Sequence, residues 1–164
     1  MKVILLTFFT LAFVRGGGAL PCEETSTIDA FNVFIKKHIV QTDFPRQSHE
    51  EWEKYLKSEG LCGTAVVQSF IEDADKGNVL KICSKAGRRP QTPVPSRPSL
   101  CISESTMLVY HVTSDIITCK VKKIVGSRDN VIVACNRIGD HPVPECLPVH
   151  YQSGNLKPGN IPCV

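Results

Sequence analysis

Eight cysteines, spread from Cys22 to Cys163, constrain this chain more than any other feature of its sequence. In an oxidising compartment an even number of cysteines in a small domain reads as a disulfide framework; in a reducing one the same residues read as metal ligands or reactive thiols. Structural zinc sites draw their cysteines in close CxxC-type pairs. None occurs here, so the disulfide reading is preferred, and neither a metal nor another cofactor is expected. Eight cysteines admit about a hundred pairings, and the spacing alone does not choose among them.

The compartment is read from the N-terminus, where Lys2 precedes an apolar run that ends in small residues (MKVILLTFFTLAFVRGGGAL). That is the layout of a secretory signal peptide, with cleavage expected after Ala19. Residues 1–19 are thus expected to be removed, and 20–164 to form one secreted, extracellular, monomeric domain. No later segment has the length of apolar sequence that a membrane helix needs, so no membrane span is expected. A domain of this size carries only a modest core, and covalent staples matter to it. Loss of the signal leaves 17 basic against 16 acidic residues. Affinity for phosphates comes mainly from lysine and arginine. A polyanion would therefore have to be gripped by local clusters, of which Lys36–Lys37, Arg88–Arg89 and Lys120 with Lys122 and Lys123 are the candidates.

Helical periodicity is clear twice. Phe31, Phe34, Ile35 and His38 fall on one stripe of a helix over 28–39. SHEEWEKYLKSEG carries a capping box (Ser48, Glu51), an apolar face (Trp52, Tyr55, Leu56) and a terminating Gly60. A strand is expected over 65–71 and a short third helix from about Asp75. The segment SKAGRRPQTPVPSRPS reads as an exposed loop over 85–99, whose arginines Arg88, Arg89 and Arg97 offer contacts to a polyanion. Strands follow at 106–113, 117–125, 131–135 and 147–151, with a hairpin turn expected at SRDN, 127–130. Helices first and strands afterwards point to an α+β domain on an antiparallel sheet.

Four stretches read in order carry a family resemblance: FIKKHIV around His38, QSFI after Cys62, STM at 105–107, and LPVHY around His150. Together they resemble the pancreatic-type ribonuclease A superfamily. FIKKHI and the cysteine close to the C-terminus are closest to its amphibian branch. The resemblance implies three helices on a curved antiparallel sheet and the bridges Cys62–Cys119 and Cys83–Cys135. A C-terminal bridge like that of the amphibian branch would join Cys146 to Cys163, leaving Cys22 with Cys101. Trp52 and Val112 stand where the family has a further bridge, both halves having been replaced by apolar side chains.

The same resemblance implies cleavage of single-stranded RNA through a 2′,3′-cyclic phosphate, with His38 as base and His150 as acid. Two histidines suit those roles, because near neutrality one can be neutral while the other is protonated. Lys37, Gln68, Ser69 and Tyr151 fall at substrate-binding positions. Two departures stand out. Gly63 occupies the place of the family's catalytic lysine, and no lysine or arginine occurs from 63 to 70; Gln152 replaces the aspartate that orients the second histidine. Loss of one donor to a developing charge costs about 10²–10³ in rate, so a slow enzyme is expected. The rival expectation is a non-catalytic secreted factor on the same fold, acting in host defence, reproduction or cell-surface binding.

Overall fold

The computed structural model describes residues 20–139 and 145–164; the expected signal peptide lies outside them. Within the described residues the chain is α+β, with three α-helices, a curled mixed sheet of eight strands and four disulfides. No helix among them is long and apolar enough to cross a membrane.

A two-residue strand, β1 (Thr25–Ser26), leads into α1 (Ile28–His38). The Thr27 side chain caps α1 by accepting from Ala30 N, while Lys36, Lys37 and His38 occupy its negative end. Phe34 and Ile35 bury its apolar stripe. The helix stops where the β-branched pair Ile39–Val40 enters the sheet as β2. α2 (His49–Ser58) begins as its capping sequence requires, Ser48 Oγ accepting from Glu51 N at 3.2 Å. It ends before Gly60, whose φ of +64° suits glycine.

Beyond it come β3 (Val67–Glu72), a 3₁₀ turn (Asp73–Asp75), α3 (Lys76–Lys81) and β4 (Arg88–Pro90). The remaining strands are β5 (Leu100–Ser114), β6 (Val121–Ile138), β7 (Glu145–Tyr151) and β8 (Pro158–Pro162). The sheet runs β1-β6-β5-β3-β2, with β7 on β6, β4 on β5 and β8 on β4.

Three expectations are corrected. The sheet is not purely antiparallel, because the short strands flanking α1 both pair in parallel, β1 with the end of β6 and β2 with the end of β3. SRDN is not a turn. Residues 127–130 lie inside β6, paired with 106–109 of β5, and two expected strands become one. The real turn lies at 115–120, where Asp115 Oδ1 accepts from the backbone N–H of Ile117 and Thr118 and its other oxygen from Lys122. Those hydrogen bonds, the backbone ones to Thr118 first, hold the Asp115 carboxyl well below the usual range. Finally, the 85–99 segment is not loop throughout, since β4 lies in it and recruits β8, a strand that the proline and glycine content of 158–162 had concealed.

The two larger of four buried clusters among the described residues pack on the sheet as follows. Under α2, Trp52 and Val112 are both fully buried in one cluster with Phe70, Tyr55 and Tyr110. The Trp52 indole donates to Arg46 O at 2.8 Å, and Arg46 forms a two-pronged ion pair with Glu72. The other cluster packs Phe34, Ile71, Val109 and Val133 around the sulfurs of Cys83, Cys101, Cys135 and Cys163.

Cys62–Cys119 and Cys83–Cys135 are joined as the resemblance implies. The other two bridges exchange partners, being Cys22–Cys146 and Cys101–Cys163 rather than Cys146–Cys163 and Cys22–Cys101. Strand pairing explains the exchange. Cys22 N donates to Cys135 O, while Cys146 is paired with Arg137 of the same strand, so β6 draws both to one end of the sheet. Cys163 N donates to Gly87 O beside β4, which pairs with β5 one residue from Cys101. The two groups of three cysteines that approach metal-ligand spacing are all consumed by these bridges.

Candidate catalytic site

His38 closes α1 and His150 lies near the end of β7, and the packing of α1 against β7 brings both into the wall of one cavity of about 320 Å³, with Lys37, Asp29 and Tyr151. The His38 ring is held on three sides. Phe34 lies 5.3 Å away, Tyr151 stacks on it at 5.1 Å and 25°, and Nδ1 lies 3.0 Å from the carbonyl oxygen of Ser69. A carbonyl only accepts, so Nδ1 carries the proton and Nε2 keeps its lone pair. Burial first, then the charges of Lys37 and His150, push the His38 pKa down to about 4 against the Ser69 hydrogen bond. The imidazole is therefore neutral at physiological pH.

His150 is exposed and its ring makes no hydrogen bond within the described residues. Gln152 does not orient it; its amide donates to Ser153 O at 2.7 Å. A second cavity, of about 520 Å³, adjoins the first through His150 and Tyr151 and is lined by Arg97, Ser96, Glu24 and Gln152. The end of the proline-rich segment thus sets Arg97 in the cavity wall beside His150.

The predicted binding residues are divided by the fold. Lys37 and Tyr151 line the His38 cavity. Gln68 is buried, its amide donating to Leu61 O and accepting from Thr64 Oγ1, which braces the turn at 61–64. Ser69 is buried and its hydroxyl faces His111 Nδ1 at 2.9 Å, with Tyr151 as a further hydrogen-bond neighbour. His111 Nε2 lies 3.2 Å from Asp129 Oδ2, which Ser127 also bonds. Hydrogen bonding, by Ser127 first and also by His111, lowers the Asp129 pKa from the ordinary carboxylate value against the effect of burial. This Ser69–His111–Asp129 chain was missed from sequence because His111 and Asp129 meet only through the β5–β6 register, 18 residues apart; with SRDN read as a turn, that register could not be found.

The backbone at Gly63, where the resemblance would place a lysine, favours glycine. Gly63 has a φ of +77°, and a Cβ there would stand 3.1 Å from Ile116 O. A side chain at that position is strained, so the turn itself selects against lysine. No family model matches the chain, and no curated protein matches it either.

Proposed function

We propose that the chain is a secreted, ribonuclease A-like protein and a slow endoribonuclease acting on single-stranded RNA. The observation that carries this reading is the meeting of a neutral histidine and an exposed histidine in one cavity wall. His38 Nε2 takes the proton of a ribose 2′-hydroxyl, and the 2′-oxygen attacks phosphorus. The protonated His150 gives its proton to the departing 5′-oxygen, leaving a 2′,3′-cyclic phosphate. Arg97 and Lys37 are the cations available in the adjoining cavity walls for the charge that develops on the phosphoryl oxygens. Each shares a cavity wall with His150, Lys37 on the side of His38 and Arg97 on the side of Gln152. The arrangement is weak in two respects: no hydrogen bond among the described residues orients His150, and a base whose pKa is near 4 draws a proton poorly.

The test is turnover of a fluorogenic oligoribonucleotide by the oxidised chain in EDTA. Slow cleavage is expected, abolished by His38→Ala and by His150→Ala. Wild-type turnover no faster than that of either variant would leave the second reading, a binding protein on the same fold. That reading is favoured by the glycine turn at 63 and by the amide of Gln152 turned to Ser153.

A further inference from the structure

The three arginines of the proline-rich segment do not form one patch. Arg88 is paired through Nη2 with Glu104 at 3.2 Å, and Arg97 lies beside His150. Arg89, on the opposite face of β4 from Arg88, lines a separate cavity of about 350 Å³ between β4 and β8. Its Nε is buried and has no hydrogen-bond partner, and the side chain has no ion pair among the described residues. A buried guanidinium N–H without an acceptor costs free energy, and such groups in folded proteins call for an explanation.

The surroundings fit a bound anion. No carboxylate lines the cavity, and the amide side chains of Gln91 and Asn160 stand in its wall with no hydrogen bond among the described residues. Pro90, Pro158 and Ile161 make the rest apolar. The strands close tightly behind it: a Cβ on Gly159 would lie 3.0 Å from Arg89 O.

We propose that this cavity binds a sulfate ester of an acidic polysaccharide. One guanidinium balances the single negative charge of a sulfate ester and offers it two parallel N–H donors. The two amides can serve neighbouring sugar hydroxyls, and the proline and isoleucine side chains can cover the apolar face of a sugar ring. A nucleic-acid phosphodiester carries the same charge but brings bases, whose usual platform is an aromatic ring, and none lines this cavity among the described residues. The inference does not rest on the nuclease reading.

The experiment is calorimetric titration of the oxidised chain with a heparin-derived tetrasaccharide, its desulfated form and a single-stranded oligodeoxynucleotide. Wild type is expected to bind the sulfated sugar. Arg89→Gln should weaken it about tenfold, Arg89→Lys less, and desulfation about as much as Arg89→Gln. Thermal melting of both variants near the wild-type temperature shows that the fold is kept; if Arg89→Gln melts early, Asn160→Ala on the exposed wall takes its place and should weaken binding by a smaller factor. No binding by wild type, equal binding by a folded Arg89→Gln protein, or equal binding of the desulfated sugar overturns the proposal. An equal loss of oligodeoxynucleotide affinity in Arg89→Gln overturns it too, making the cavity a nucleic-acid subsite.

Discussion

His38 couples the proposed catalysis to stability. Its pKa falls from the ordinary 6.5 to about 4 on folding, chiefly through burial. Above pH 6.5 the ring is neutral in both states and contributes nothing. Below 6.5 the unfolded chain takes up a proton that the folded one refuses, so stability falls with pH until about 4, by at most ~3 kcal/mol. Melting temperatures recorded from pH 7 to 4 should show this decline, and His38→Phe should flatten it. The same depression sets the acid limb of the proposed reaction. The kcat/KM profile should hold its activity down to pH 5, well below where an ordinary histidine base fails; an acid limb near pH 6.5 would contradict the buried, proton-poor base. Of the residues marked from sequence, the two histidines, Lys37 and Tyr151, grouped by the family resemblance, line one cavity. The hydrogen bonding of Gln68 could not be read from its neighbours. What occupies its amide is a turn at 61–64, and nothing in QSF announces that.

The elements divide by how locally they are determined. α1 and α2 were legible because caps and an apolar stripe lie within a few residues of each other, and the structure ends each within two residues of the expected place. β6 was not, since its 18 residues hold Gly126, Asp129 and Asn130, residues that favour turns when taken alone. They are tolerated because their partners on β5 supply hydrogen bonds: Asn130 donates to Ser103 O at 2.9 Å and Asp129 accepts from His111. Removing that support should be felt along the strand, and Asp129→Ala is expected to cost about 1–2 kcal/mol in denaturant unfolding. The turn at 63 leads to a contrary result. Gly63→Lys adds a charge where the resemblance would place one but forces a side chain into a left-handed backbone beside Ile116 O. It should lower stability by about 1–2 kcal/mol without raising turnover. Trp52→Ala, by contrast, empties the fully buried site beneath α2 and should cost about 3–5 kcal/mol.

Across the whole molecule, four bridges with sequence separations of 52 to 124 residues tie the sheet to α2, to α3 and to both ends of the described chain. Peptide mapping without reduction should recover Cys22 with Cys146 and Cys101 with Cys163, and a Cys146–Cys163 peptide would contradict the strand pairing that separates them. Replacing Cys101 and Cys163 together by serine should cost about 2–5 kcal/mol and free β8 from β4, loosening the Arg89 cavity while leaving the His38 cavity intact. The bridges have one more property. The first four cysteines of the chain, at 22, 62, 83 and 101, pair only with the last four, at 119, 135, 146 and 163. During synthesis from the N-terminus, four thiols therefore emerge before any correct partner exists. A linkage made in that interval is a wrong one, to be undone by thiol exchange before the native framework can close.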